Sequence, residues 1–311
     1  MSRRDLGTGP DLAIVGAARS GTTQLAARLS RHPAIDASAV KEPNYFSREF
    51  ERGPEWYDAY FQPRSDTRVR LDASVSYTYP QYPQALERLA AASPRAHVLY
   101  VVRDPIDRAV SHYRLNHHYF GHETATDFGA ALTDRAFYLE VGDYEQWLAV
   151  LGEHFPAEQR LLVPFPAVTS HADAVADVAL RSLQLPPLTD VDDEAVAAHQ
   201  NNVVAFRSEA ARRVTRTLRH SRAYPHVRRV LGPDRMKRLR ALVTREPEMS
   251  TVEEALATCT EAQRAQLAAV AERAHAAVLQ ELTRQDDALG LDWATQWPRP
   301  RDVTSERADP H

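Results

Sequence analysis

Two stretches of this sequence carry residues that could hold an anion. Gly16-Ala17-Ala18-Arg19-Ser20-Gly21-Thr22-Thr23 sets two glycines, small residues, hydroxyls and one cation between an apolar run and a helical pattern. Small residues let the backbone curl so that successive N–H groups point inward, and a helix N-terminus adds partial positive charge, a combination that holds phosphate. The glycines have Walker-A spacing, but Thr22 stands where a nucleotide triphosphatase carries lysine. Moving a γ-phosphoryl needs a cation bridging β and γ oxygens and usually a metal held by carboxylates. Here the cation is displaced to Arg19, which suits a shorter anionic chain whose transferred group carries less charge. The second stretch, Arg103-Asp104-Pro105-Ile106-Asp107-Arg108-Ala109-Val110-Ser111-His112-Tyr113, offers the planar donor fork of Arg103 and the hydroxyl of Ser111, a grip for a phosphate monoester. The bland alternatives are an ordinary glycine-rich turn, and an Arg103 paired with Asp104 or Asp107 beside a solvated Ser111.

The elements that must position these groups alternate between strand and helix. Apolar runs at 12–17, 69–74, 97–105 and 160–165 read as buried parallel strands. Leu25 and Leu29 sit one helical turn apart until Pro33 stops the pattern, and a further helix covers 172–185. Asp104 and Pro105 take the N-cap and first-turn positions of a helix running to about Asn116. Strands separated by helices imply right-handed crossovers and an α/β three-layer fold around a central parallel sheet. Arg103, where a strand ends, then lies at the edge where such sheets bind ligands. From about 203 to 292 the chain is Arg-, Ala- and Leu-rich with helical periodicity and no convincing strand, giving a helical C-terminal third. The reading is a single domain over 8–296 followed by a disordered tail at 298–311.

Composition narrows the function. The chain has 311 residues, a formal charge of −4, 43% apolar residues and one cysteine, Cys259, which excludes an intrachain disulfide scaffold. No apolar run reaches the roughly 18–20 residues of a membrane span, and the N-terminus has no secretory pattern, so a cytoplasmic location is expected. Residues 207–240 hold twelve Lys or Arg against Glu209 and Asp234, a balance of +10 that leaves −14 for the rest. A nucleic-acid footprint is one reading of this segment. With no recognition motif and a mildly acidic chain, a solvated helix face is the expectation, with no nucleic-acid partner. The run His117-His118-Tyr119-Phe120-Gly121-His122-Glu123 matches no tetrahedral metal spacing, and no metal is expected.

Taken together, GAARSGTT and RDPIDRAVSHY resemble the 5′-phosphosulfate loop and the 3′-phosphate segment of sulfotransferases that use 3′-phosphoadenosine 5′-phosphosulfate (PAPS). Between them KEPNYF, EWYDAYF and LDASVSYTYP fall in the order of the heparan-glucosamine-type branch and its bacterial relatives. The likeness is good over about 10–120, weaker over 137–185, where GDYEQWL and RLLVPFPAV resemble later family blocks, and faint beyond. It implies a P-loop-type fold, PAPS as donor and PAP (adenosine 3′,5′-bisphosphate) as product. Arg19, Ser20, Gly21, Thr22 and Thr23 would bind the 5′-phosphosulfate, and Arg103 and Ser111 the 3′-phosphate. Glu42 aligns with the glutamate that serves as general base in the heparan-type branch. Three departures stand out: Arg19 where many relatives have lysine, Ala73 where some heparan enzymes place a lysine near the sulfuryl group, and Pro166 where relatives often place glutamate.

Sulfuryl transfer should follow the in-line logic of phosphoryl transfer, so positioning and electrostatic stabilisation dominate. Arg19 and the loop N–H groups would stabilise the departing phosphate while Glu42 takes the proton of a hydroxyl or amine on a small-molecule or saccharide acceptor. The bland reading of Glu42 is an ion pair with Lys41. Lys41, Tyr77, His112 and Tyr144 are the candidate substrate contacts, with His112 the second candidate base. Tyr45, Phe46, Trp56, Tyr57 and Tyr79 read as core or cleft wall. The rival functions are a P-loop kinase or NTPase, and a non-catalytic nucleotide- or nucleic-acid-binding protein.

Overall fold

The structure, a computed structural model, describes residues 9–188, 205–206, 242, 244–245 and 251–303. Its centre is a five-stranded sheet of β1 (Leu12–Gly16), β2 (Ile35–Ala37), β3 (Val69–Ala73), β4 (His97–Val102) and β5 (Arg160–Pro164), ordered β2-β3-β1-β4-β5. Every pairing is parallel. All five residues of β1 are buried, as expected of the middle strand of a sheet covered on both faces. β1 pairs with β3 on one side and β4 on the other, so the chain changes direction across the sheet at β1. The crevice at the carboxyl end of such a switch point is where open α/β sheets bind ligands.

The expected strands fall within a residue or three of their observed limits, and so does the helix Thr22–Leu29, which buries Leu25 and Leu29. The helix at 172–185 is observed as Ala172–Ser182. The α-helix after β4 runs Pro105–Arg114, with the Asp104 carboxylate accepting from the N–H groups of Ile106 and Asp107, and continues as a π-helical turn over Leu115–Phe120. Gly121 ends that turn at φ 62°. His117 and His118 of the run read as a possible metal site lie on it and His122 just beyond it, while Glu123 is engaged by the Tyr138 hydroxyl at 2.9 Å and the Ala125 N–H at 2.9 Å.

The last third is helical where described, with two corrections. Ala205–Phe206 and Thr244–Arg245 form a two-residue antiparallel pair where no strand was expected, a bridge too short for any periodicity to announce. Residues 298–303, expected as the start of a disordered tail, pack against the protein. Val303 is buried, and Arg301 pairs with Asp107 at 3.0 Å and Glu253 at 2.8 Å. The basic segment 207–240 and residues 304–311 lie outside the described residues. The long helix Glu261–Leu289 starts from a Thr260–Gln263 capping box and buries Leu267, Ala271, Ala274, Val278 and Leu282 along one stripe. Its Gln285 amide exchanges two hydrogen bonds with the backbone of Leu162, at 2.8 and 2.9 Å, covering the free edge of β5.

Candidate active site

The carboxyl ends of β1 through β4 bring the expected groups to one edge of the sheet. The loop after β1 is tied to β4 by the Ala17 N–H on the Val101 carbonyl at 2.7 Å. Gly16 is required there for space: a Cβ would stand 2.2 Å from the Thr78 hydroxyl and 2.9 Å from the Tyr100 ring. Gly21 is required for conformation, since it sits at φ 85° as the N-cap of Thr22–Leu29, which has no side-chain cap. The Gln24 N–H in that first turn donates back to the Gly21 carbonyl at 3.0 Å. Arg19 adopts a left-handed φ of 71° between the two glycines.

Arg19 joins the two anion-holding stretches. Its Nε donates to the Ser111 hydroxyl at 3.0 Å, and Nη1 of Arg103 donates to its carbonyl at 3.3 Å. Burial, and then the neighbouring Arg103, push the Arg19 guanidinium down to about 10, so it stays charged at neutral pH. Among the described residues no carboxylate pairs with it. Of the bland partners for Arg103, Asp107 does pair with it, at the long distance of 4.0 Å. Asp104 caps the helix, and Asp107 also holds Arg301 at 3.0 Å. The Arg103 guanidinium lies over the Phe165 ring at 4.9 Å, a cation–π contact that sets its direction.

Glu42 lies beyond β2, at the same edge. Its φ of 62°, and that of Asn44 at 55°, are unusual for residues with side chains. A buried polar network holds this bend. Asp72, fully buried near the end of β3, accepts from the hydroxyls of Tyr57 (2.9 Å), Tyr77 (2.6 Å) and Ser74 (2.6 Å), and burial pushes its carboxyl up. The Ser74 hydroxyl accepts from the Asn44 N–H at 3.1 Å, Ser76 donates to the Asn44 side-chain oxygen at 2.6 Å, and the Asn44 amide donates to the Glu42 carbonyl at 2.8 Å. Residues Asp72, Ser74, Ser76 and Asn44 were not singled out from the sequence. The available signal was an aspartate within an apolar strand. The Glu42 carboxylate meets Lys41 Nζ at 2.6 Å through one oxygen, the pairing foreseen as the bland reading. Burial, and then the Glu42 charge, push the nearby Tyr79 hydroxyl well above the ordinary phenol range, with Arg19 acting the other way.

Residues 9–162, about half of the chain, match the family model described as the sulfotransferase domain. The chain belongs to the sulfotransferase family. This sulfotransferase is 30% identical over 161 residues to human heparan sulfate glucosamine 3-O-sulfotransferase 3B1, covering 50% of this chain and 40% of that protein. It is 35% identical over 104 residues to human heparan sulfate glucosamine 3-O-sulfotransferase 6, covering 33% and 30%. The chain thus spans less than half the length of these relatives. A crystal structure of a sulfotransferase from Alicyclobacillus acidocaldarius is similar at 25% identity and a TM-score of 0.50, over 60% of this chain and 87% of that one.

Three of the sulfotransferase's expected substrate contacts are corrected by burial. Tyr77 is fully buried, bonded to Asp72 and edge-on to Phe46 at 5.6 Å. Tyr144 is fully buried too, and its hydroxyl accepts from the Arg103 N–H at 3.1 Å and donates to the Arg103 carbonyl at 2.8 Å, so it positions Arg103 and faces no acceptor. His112 is 3% exposed and bonded on both ring nitrogens, and burial, Arg108 and Arg19 hold its pKa well below the ordinary histidine range. Ser20 and Thr22 are likewise buried within the loop, where their backbone can serve a ligand and their side chains pack. Ala73 is buried, so the second departure from the heparan pattern leaves no cation at that place.

Proposed function

We propose that this chain transfers the sulfuryl group of PAPS to a hydroxyl or amine of a small-molecule or saccharide acceptor, releasing PAP. The observation that carries the reading is the contact of Arg19 Nε with Ser111 at 3.0 Å beside Arg103 on the Arg19 carbonyl at 3.3 Å. Two anion grips distant in sequence become one cationic cleft that lacks a carboxylate partner for Arg19 among the described residues. A ligand with acidic groups at both ends of an adenosine suits such a cleft, and a triphosphate with magnesium does not, since Thr22 replaces the bridging lysine. PAPS supplies a sulfuryl group bonded to a phosphate leaving group. The loop N–H groups and Arg19 would hold that phosphate and offset the charge it gains, and Arg103 with Ser111 would hold the 3′-phosphate.

Glu42 would take the acceptor proton on the carboxylate oxygen that Lys41 leaves free, with the Asp72–Ser74–Asn44 network fixing its backbone. The 3-O-sulfotransferase relatives act on heparan sulfate glucosamine by name, which favours a saccharide acceptor here. Nothing in the proposed chemistry calls for a metal, because the sulfuryl group carries less charge than a γ-phosphoryl. We also read 8–296 as one domain and the location as cytoplasmic, both on sequence grounds.

Thermal unfolding with PAP, AMP, and ATP plus magnesium tests the donor. A ligand at a hundred times its Kd stabilises by about 2.7 kcal/mol. PAP should raise Tm most. Preferential stabilisation by ATP plus magnesium would return the chain to the kinase or NTPase reading.

A further inference from the structure

The helix Pro105–Arg114 buries an arginine that no carboxylate neutralises among the described residues. Arg108 is fully buried, donates through Nη2 to the Tyr138 carbonyl, and lies with Nη1 3.3 Å from His112 Nδ1. A guanidinium carries donors only, so Nδ1 must accept. The ring is then neutral with its proton on Nε2. The depressed pKa of His112, from burial and from Arg108 and Arg19, agrees with that state. Nε2 lies 3.4 Å from the Tyr79 hydroxyl oxygen, so this N–H donates to Tyr79. The direction of the whole chain is fixed, and the phenol's own proton is left to be donated onward.

Where that proton goes is set by what surrounds Tyr79. The ring packs with Ala18 of the glycine-bent loop and stands edge-on to Phe137 at 5.2 Å. Burial and the Glu42 charge hold the hydroxyl well above the ordinary phenol range, so it remains a donor at any working pH. Arg19 also acts on the hydroxyl, from the loop side. Tyr79 is thereby grouped with the loop that would hold the leaving phosphate, its hydroxyl in the field of Arg19 and of the carboxylate that would take the acceptor proton.

We propose that the Tyr79 hydroxyl, oriented by the positioning residues His112 and Arg108, donates a hydrogen bond to an oxygen of the sulfuryl group being transferred. This rests on the PAPS reading and assigns a contact to the part of the donor that PAP lacks. Tyr79 shares a buried cluster with Ala18 of the loop that would bind the donor's sulfated end.

The test is the affinity of Tyr79→Phe for PAPS and for PAP, by calorimetry in the absence of acceptor. Phenylalanine keeps the packing on Ala18 and Phe137, so only the hydroxyl is lost. PAPS affinity should fall about tenfold, roughly 1.4 kcal/mol, with PAP affinity within about twofold. Tyr113→Phe, whose hydroxyl reaches the Ala125 carbonyl at 3.4 Å, should leave both unchanged. Equal weakening of PAP and PAPS by Tyr79→Phe would overturn the assignment in favour of a packing role, and an unchanged PAPS affinity would overturn it in favour of a contact to the acceptor. Failure of the unsubstituted protein to bind PAP at all would refute the donor reading itself, and that result is visible before any substitution is made.

Discussion

Replacing Arg103 by alanine separates a ligand-holding arginine from a structural one. The folded protein loses little at this position. The cation–π contact over Phe165 at 4.9 Å is worth about 0.5–1 kcal/mol. The 4.0 Å approach to Asp107, with both side chains 25% exposed, contributes a few tenths at most after solvent screening, roughly 0.3 kcal/mol. The 3.3 Å hydrogen bond to the Arg19 carbonyl adds about 0.5–1 kcal/mol. Asp107 keeps Arg301 at 3.0 Å, so no carboxylate is stranded. Arg103→Ala should therefore cost about 1.3–2.3 kcal/mol of stability, measured by urea unfolding. A charge-assisted contact to a 3′-phosphate is worth roughly 1.5–3 kcal/mol, which is about 10- to 150-fold in Kd. Calorimetric titration with PAP and with AMP, which lacks the 3′-phosphate, should show that loss for PAP and little change for AMP. Arg103→Lys should fall between, because it keeps the charge and loses the fork. Equal weakening of both nucleotides would mean that Arg103 only shapes the loop, and the assignment of the 3′-phosphate would be lost.

Glu42→Gln should leave PAP affinity intact and lower turnover with a competent acceptor by at least ~10²-fold; unchanged turnover would confine Glu42 to its pair with Lys41. Tyr144→Phe strips a hydroxyl that serves both backbone groups of Arg103, and should cost about 1–3 kcal/mol in chemical denaturation and weaken PAP as well. His112 is neutral when folded and has a folded pKa below its unfolded value near 6.5, so the unfolded chain binds the extra proton and stability falls as pH drops below about 6.5. Between pH 6.5 and 5.5 this group alone should remove about 1 kcal/mol, a loss that His112→Gln does not show in urea titrations at the two pH values.

Most of the sheet was legible because a strand buried on both faces is written as an apolar run, as in LAIVG, HVLYVV and RLLVP, while VRLDA carries Arg70 and Asp72 within it. The Asp104–Pro105 start of the next helix was legible for an equally local reason, the cap. What was missed is non-local. Asn44 reaches Ser74 and Ser76 across some thirty residues, and no spacing in the chain announces that they meet. Tyrosine is ambiguous in the same way. Tyr77 and Tyr144 have a polar tip that could have faced an acceptor, and each is buried because a partner, Asp72 or the Arg103 backbone, satisfies that tip. Tyr79 looks no different in sequence, yet the direction of its hydrogen bond from His112 leaves its proton available. Arg301 was assigned to a tail by composition, and only the folded chain brings Asp107 and Glu253 to it.

The costs in this structure are gathered at the carboxyl edge of the sheet. Of the four non-glycine residues with positive φ among those described, Arg19, Glu42 and Asn44 lie there. A residue held in that region costs of order 1–3 kcal/mol. Glycine at any of the three would relieve the backbone and delete the guanidinium, the carboxylate or the amide. The same region holds Arg19, part-buried, and Arg108, fully buried, without a carboxylate partner among the described residues, and burial lowers the pKa of both. Uncompensated buried charge is expensive unless something neutralises it. An anion arriving beside Arg19 would meet a part-buried cation already oriented by Ser111, so it would not need to reorganise it. Strain at the side chains that must act and positive charge awaiting a counter-ion are what a site built for a doubly acidic nucleotide should show, and a structural salt-bridge network would show neither.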